Sequence, residues 1–545
     1  LVGKSGIEDF ADIITDISLF RPGPVKSDMI TPYLEAKQGW RMPRYLHDDL
    51  RPILEGTRGV VVFHEQVIEM VAQFTGCTYA EADEARRALG DIDGMASTRA
   101  WFMPRALERG YPLPVVEKVW KVLEAFASFG FCKAHAAAFA LPTFQSAWLK
   151  AHHPAHFLAG VLTHDPGMYP KRLILDDARQ LGIEIRGLDV NASGADYLVE
   201  RTGHDGYAIR LALQELRGIS EAEVARIVAA REQGADYQSL TDFWQRAPVS
   251  RPVAERLVLT GAFDGLYGIG GSETHRRDRV SRRDLLLQIG DLDEQRRSAD
   301  RTQGKRARGL GARRDHAAPP SSVQLSLDLG EDRAGESNRL PEMSDADRVR
   351  AELELLGLDV SRHVIDFHQP LLDALSVVRS RDLLAQRSRS EVLVAGVKVA
   401  TQTPPIRSGR RVIFLTLDDA TGPVDATFFE DVQGPCAATV FGSWLLLVRG
   451  VVRRTGRRGI SVRATGAWDL GSLQDLWIAG GIEAVQARLA ESPEEATPGQ
   501  RRVLVHTSGF RMSPYSDIRP AGDHPGRVTS GVSRALWHRS PGSSG

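Results

Sequence analysis

Several cations in the first 135 residues stand where a plain apolar core has no use for them. Arg21 lies in the loop LFRPGP, Arg86 and Arg87 close the stretch ADEARRALG, and Lys133 and His135 follow the glycine of SFGFCKAHAAAFAL. Cations fixed in this way suit a polyphosphate, because phosphoryl transfer depends mainly on positioning and charge stabilisation. Phe129 or Phe131 would offer a base an apolar surface beside them. The competing reading is of ordinary surface cations at helix ends, favoured there by the helix dipole. Asp91-Ile92-Asp93 and Asp291-Leu292-Asp293 have the D-x-D spacing of paired metal carboxylates. Neither follows a β-run and both read as polar loop, so neither is expected to hold catalytic metal. His152 and His156 are four residues apart, but Pro154 intervenes and no carboxylate or cysteine adjoins them. A structural role is expected there, and no metal site is assigned.

Further along, two apolar-X-Gly-apolar turns recur, Leu216-Arg217-Gly218-Ile219 and Leu259-Thr260-Gly261-Ala262. In a helical hairpin such a glycine lets backbone approach a phosphate, and N–H groups at the next helix start can bind it. Two ordinary hairpins with glycine turns would read the same way. Gln324-Leu325-Ser326-Leu327-Asp328-Leu329 is an apolar island in a polar stretch, suited to insert leucines into a partner's pocket. Arg407, Arg410 and Arg411 flank one candidate hairpin, and Arg453, Arg454, Arg457 and Arg458 flank another. Arginines in turns have no packing duty and suit a nucleic-acid backbone. Phe414, Phe428, Phe429 and Trp444 are available for stacking, although at strand spacing several must be core.

These residues need elements to hold them. Apolar positions at helical spacing occur at Glu65–Phe74, Ala80–Leu89, Pro114–Ser128 and, in one long run, His135–Leu162. Residues 1–165 therefore read as an α-helical domain. Residues 166–270 mix short strands (Ile183–Ile185 and Tyr207–Leu211) with the paired hairpins. From about 290 to 345 Arg, Asp, Ser, Gly and Pro dominate, so 271–345 reads as an Arg-rich helix and disordered linker. A helical connector, 346–390, follows. Five strand candidates at Val392–Val399, Val412–Leu417, Val424–Phe429, Trp444–Val452 and Ile460–Ala467 make 391–470 a small barrel of the OB type. The last 45 or so residues are rich in Ser, Gly, Pro and Arg, and 471–545 reads as a mostly disordered tail. The fold class is thus multidomain: helical, then α+β with tandem hairpins, then a β-barrel.

Composition sets the outer bounds. With 545 residues, 42% hydrophobic and 26% charged, the chain can bury several cores. No apolar run approaches the roughly 20 residues needed to cross a bilayer. Three cysteines without a CxxC pair exclude a disulfide framework and fit a reducing cytosol, so a cytoplasmic location is expected. The net charge of −1 conceals arginine segregated in 272–314 and around 407–463. The opening LVGKSGIEDF has neither a secretory pattern nor an initiator Met, which suggests a start inside a longer protein.

LFRPGPV, GVVVFHEQV, DEARRALG, FGFCKAHAAAFAL and FQSAWLKAHHPAHFLAGVL occur in the order seen in the fingers of bacterial DNA polymerase III alpha subunits. The chain resembles that C-family of polymerases over most of residues 8–470. The resemblance implies fingers at 1–165, with Arg21, Arg86, Arg87, Lys133 and His135 facing an incoming deoxynucleoside triphosphate. It implies tandem helix-hairpin-helix motifs whose Gly218 and Gly261 track primer-template DNA, and a barrel contacting DNA through Arg407, Arg410, Arg411, Arg453 and Arg454. Gln324, Leu325, Leu327 and Leu329 resemble the short peptide that binds the sliding clamp. In the family, Mg2+ is held by palm carboxylates upstream of the fingers, so no catalytic or metal residue is assigned in this chain. It is expected to bind DNA and the clamp but not to extend a primer unaided. A non-catalytic accessory protein and the remnant of a broken gene are the alternatives. One departure is GDIDGMAST, where replicative relatives commonly carry a basic run; it leans towards the error-prone paralogue.

Overall fold

A computed structural model describes residues 5–19, 30–90, 92–126, 131–167, 169–203, 206–270, 280–309, 340–403, 412–454 and 459–491, with residues 92 and 299–309 as backbone alone. The chain divides between Phe157 and Leu158 into two compact units.

The first unit is helical: α1 (Phe10–Leu19), α2 (Ile30–Lys37), α3 (His64–Thr75), α4 (Tyr79–Ala88), α5 (Ile92–Glu108), α6 (Leu113–Phe126) and α7 (Lys133–His152). Val67, Met70, Val71 and Phe74 of α3 fall on one face, and Val116, Val119, Trp120 and Leu123 of α6 on another; these faces share a core with Phe102. Phe74 stacks on Tyr111 at 4.0 Å between ring centroids. Gly76 ends α3 in the left-handed region (φ 72°), and a capping box between Thr78 and Glu81 starts α4. The long helical run expected over His135–Leu162 is two helices, α7 and α8 (Pro154–His164). His153 between them has a non-helical φ of −134°, since a proline disfavours helix at the residue before it.

In the second unit, α9 (Lys171–Gln180) leads into a three-stranded sheet of β1 (Glu184–Arg186), β2 (Leu198–Arg201) and β3 (Tyr207–Arg210), with β3 central. β2 was not expected; four residues are too few to show an alternation. Four helices follow: α10 (Glu221–Gly234), α11 (Leu240–Arg246), α12 (Arg251–Leu259) and α13 (Asp264–Tyr267). Next, α14 (Arg282–Gly309) runs well into the stretch that composition assigns to a linker. Leu285 and Ile289, one turn apart, are buried, and Asp293 pairs with Arg296 and Arg297 at helical spacing, so local pairing overrides a linker-like composition. α15 (Asp345–Leu355) and α16 (Gln369–Ala374) lead to the barrel.

The barrel is built from β4 (Glu391–Gln402), β5 (Ile413–Asp418), β6 (Pro423–Phe428), β7 (Leu445–Arg454) and β8 (Ile460–Asp469), closed in the order β4-β5-β6-β8-β7. Closure leaves no free edge. Alternate residues Ile413, Leu415 and Leu417 of β5 and Val424, Ala426 and Phe428 of β6 point inward. α17 (Glu430–Gly442), an element the strand pattern did not announce, adds Cys436, Ala437 and Val440 to that core. The expected disordered tail begins instead with α18 (Leu470–Ala490), broken at Gly481, whose Leu470, Leu473, Val485 and Leu489 are buried. Among the described residues, no helix is long and apolar enough to cross a membrane.

Candidate nucleic-acid interface

The first unit places Lys133 and His135 together on the exposed first turn of α7. Phe63 and Phe131 form a parallel bridge just before it, and the Glu65 carboxylate accepts the Lys133 backbone N–H at 2.9 and 3.0 Å. Burial alone would raise the Glu65 carboxyl, but the N–H groups at this helix start outweigh it and hold the group below its usual range. Lys133 Nζ lies 5.7 Å from the Phe63 ring centre, and His135 packs edge-on between Phe131 and Phe139. A cation and a half-covered imidazole are thus presented beside aromatic surface. Arg86 and Arg87, at the end of α4, are drawn to one carboxylate, Asp83, at 2.8 and 2.7 Å. They are already partly neutralised, although Arg87 keeps 73% of its side chain exposed. Arg21 and Phe129 lie outside the described residues.

Both hairpin glycines have positive φ, +80° at Gly218 and +83° at Gly261. The first hairpin is one turn of 3-10 helix followed by α10, and the second is α12 followed by the single turn α13. Each glycine makes room for a guanidinium. Arg256 Nη1 donates to the Arg217 carbonyl at 2.6 Å, packing against Gly218 where a Cβ would collide with it. Arg282 packs in the same way against Gly261, donating to the Leu259 carbonyl (2.8 Å) and with two nitrogens to Asp264 (3.0 and 2.6 Å). Arg217 and Arg256 leave the first turn cationic and partly open to solvent, whereas Arg282 is 5% exposed. Neither Arg256 nor Arg282 was singled out from the sequence, since only the fold brings them, 38 and 21 residues along the chain, onto the glycines they face.

At the start of α10, Glu223 closes a capping box with Ser220 (2.8 and 3.1 Å) and also accepts the Ser250 N–H at 2.9 Å, tying α10 to α12. Burial pushes this carboxyl up, but the Ser250 and Ser220 hydrogen bonds win and bring it down to about 2. A depressed carboxyl contributes stability above its ordinary value of 4.5 and loses it as pH falls through about 2. Glu223→Ala is therefore expected to cost about 2 kcal/mol in urea unfolding at neutral pH, with the cost shrinking steadily below about pH 4.5.

On the barrel, strand register lines up Gln402, Phe414, Thr427 and Arg463 as successive partners across β4, β5, β6 and β8. This row faces outward, with Phe414 42% exposed. The Arg463 guanidinium lies 5.3 Å from the Phe429 ring centre and 3.1 Å from Asp431. An exposed aromatic and a cation in one row of the open face of such a barrel suit a stacked base and a phosphate further along the same strand of nucleic acid.

Family comparisons agree with this order of parts. Residues 2–110 match the bacterial DNA polymerase III alpha subunit finger domain, 182–277 a helix-hairpin-helix motif, and 392–470 an OB-fold nucleic acid binding domain. A protein named error-prone DNA polymerase from Symbiobacterium thermophilum is 34% identical over 450 residues, covering 78% of this chain and 40% of that one. Another of that name from Nocardia farcinica is 33% identical, covering 82% and 36%. DNA polymerase III subunit alpha of Pasteurella multocida is 30% identical, covering 81% and 37%. The chain is an alpha-like member of the bacterial C-family DNA polymerases. It spans about two fifths of the length of the relatives it matches.

In this C-family chain, Arg453 is exposed at the end of β7, but Arg454 is not a free turn cation. Its guanidinium binds the Leu384 and Gln386 carbonyls and so braces the barrel against the preceding segment. Arg407, Arg410, Arg411, Arg457 and Arg458 lie outside the described residues, as do Gln324, Leu325, Leu327 and Leu329. Phe428 is core, and Trp444 packs beside Val349, Val364 and Val397. Where they are described, the D-x-D patterns are helical and not loops: Asp93 is in the first turn of α5, and Asp291 and Asp293 lie within α14, while Asp91 lies outside the described residues. Asp293 is 3% exposed and paired with arginines. His152 stacks on Trp148 at 4.4 Å. Among the described residues, the donors near enough to surround a cation are Asp176, His363 and Asp418, far from these motifs in sequence.

Proposed function

We propose that this chain holds primer-template DNA and the incoming nucleotide for a DNA-directed DNA polymerase acting in replication or error-prone repair synthesis. The observation that carries the reading is the order of fingers, paired hairpins and a closed barrel whose outer row carries Phe414 and, on the far side of Thr427, Arg463. Arg86, Arg87, Lys133 and His135, with Arg21, meet the triphosphate. Gly218 and Gly261 bring backbone close to DNA phosphates, contacts that position the duplex without reading sequence. The exposed Arg217 and the half-buried Arg256 add charge at the first turn. Arg453, with Arg407, Arg410 and Arg411, guides single-stranded template, and Phe414 stacks on a base. Gln324, Leu325, Leu327 and Leu329 engage the sliding clamp in the cytoplasm. Chemistry requires divalent metal, Mg2+ in this reading, on carboxylates that a longer polypeptide would supply. Bound there, such ions would supply activation of the primer hydroxyl and charge stabilisation for the leaving pyrophosphate.

The test is fluorescence anisotropy on a primer-template with a single-stranded overhang. Binding through ~6 phosphates gives a log–log salt slope of about −5. Phe414→Ala is expected to weaken single-strand binding about tenfold, the worth of one base–aromatic stack. Arg463→Ala should reduce the slope by about one. A flat salt response together with unchanged affinity of Phe414→Ala would rule the interface out. Magnesium-dependent primer extension by this chain alone would show that its catalytic carboxylates had been misplaced.

A further inference from the structure

A buried charge cluster forms where α9, the segment 359–368 and the end of β5 meet. Arg172, Asp176 and Arg179 come from α9, Asp359 and His363 from the segment, and Asp418 from β5. Apart from Arg179, each is less than a tenth exposed. Arg172 Nε donates to Asp359 at 2.7 Å, and Arg179 Nη1 donates to Asp176 Oδ1 at 2.5 Å. Asp176 Oδ2 is fully buried without a hydrogen-bond partner and points at Asp418 and His363.

The protonation of the cluster follows from its hydrogen bonds. His363 Nδ1 accepts the Ile365 backbone N–H at 3.1 Å, so this nitrogen carries no proton and Nε2 must. The Nε2–H faces Asp418 Oδ2 at 3.2 Å; protonated, Nε2 cannot accept from Arg172, whose Nη2 lies beside it and 3.8 Å from the same Asp418 oxygen. A metal ion would need the Nε2 lone pair and the space Arg172 fills, so the donor set does not fit one. With the imidazole neutral, two guanidiniums face three carboxyl groups, and the cluster is one positive charge short. Buried charge left unbalanced is costly.

We propose that Asp176 and Asp418 share one proton at neutral pH, a carboxyl-to-carboxylate hydrogen bond that fastens α9 to the barrel. The proton gives Asp176 Oδ2 the partner it lacks and closes the charge. Burial, then the neighbouring Asp418 carboxyl, pushes Asp176 up to about 8. Burial also acts to raise Asp418, but the His363 and Asp176 hydrogen bonds hold it at about 2. Arg179 lowers Asp176 and Asp359 raises it, while Arg172 lowers Asp418. The signs set the pH dependence. Asp176, raised in the folded protein, contributes stability that is complete below its ordinary 3.8 and is lost as pH rises through about 8. Asp418, lowered, contributes stability above 3.8 that is lost as pH falls through about 2.

The experiment compares urea unfolding of the full chain with Asp176→Asn, whose amide donates to Asp418 at every pH. The ratio of the wild-type to the variant unfolding constant is expected to rise about tenfold per pH unit between about pH 5 and 8, then level off. A ratio independent of pH overturns the proposal. So does stabilisation of EDTA-treated wild type, but not of the variant, by added Zn2+ or Mn2+, which would make the occupant a cation. If the variant does not fold, infrared spectroscopy of wild type decides. A protonated-carboxyl C=O band near neutral pH that disappears by about pH 9 supports the shared proton. Absence of that band overturns it.

Discussion

Replacing Arg172 with leucine is expected to destabilise the second unit by about 4 kcal/mol, the usual cost of stripping one partner from a buried ion pair. The guanidinium is 4% exposed. It donates to Asp359 at 2.7 Å, lies 3.8 Å from Asp418, and covers the Trp444 ring at 5.8 Å. Without it, among the described residues, Asp359 at 1% exposure keeps the Val364 N–H at 3.3 Å and the more distant His363 Nε2 at 4.0 Å for its charge. The same loss deepens the negative imbalance around Asp176 and Asp418. Asp359→Asn in the Arg172→Leu background should recover about half of the loss, because the orphaned charge is most of the penalty. Urea unfolding followed by circular dichroism measures all three proteins. A loss below about 1 kcal/mol for Arg172→Leu would mean that water reaches the cluster.

The two hairpin glycines should respond unequally to valine. At Gly261 the substitution forces a β-branched residue to φ +83° and evicts the Arg282 guanidinium from Asp264 and the Leu259 carbonyl. Burial already raises the Asp264 carboxyl, and Arg282 is the main group offsetting it. Backbone strain of 1–2 kcal/mol and a broken buried pair together predict a loss of about 4 kcal/mol. At Gly218 the backbone strain is similar, but Arg256 has a single carbonyl partner and solvent to swing into. Gly218→Val should therefore cost about 2 kcal/mol while weakening duplex binding. Thermal unfolding of the two variants checks the order; a larger loss at Gly218 would show that its arginine is no looser than Arg282.

Much of the architecture could be read from local pattern. The five barrel strands fall within a few residues of their expected places, because inward and outward residues alternate in each. α3 and α6 were equally plain from their apolar spacing. Errors arose where composition or one residue had to be weighed against packing. His135–Leu162 reads as continuous until Pro154 is given its effect on His153. Residues 290–309 look like linker until Asp293 is seen between arginines. In 471–490, Leu473, Trp477, Val485 and Leu489 recur at multiples of four, a helical signal masked by the Gly480-Gly481 pair and the polar tail that follows; burial of Leu473, Val485 and Leu489 fixes α18.

The sequence by itself determined the class of each part, the glycine turns and the family, because periodicity, φ preference and motif order are properties of neighbouring residues. Only the tertiary structure decided which side chains meet. Arg256 and Arg282 reach the glycines of turns distant in sequence, and Phe414 shares a row with Arg463 across an intervening strand. Asp176 finds Asp418 from 242 positions away along the chain. Such partners are set by barrel closure and burial, which make unpaired charge costly wherever in the chain it originates.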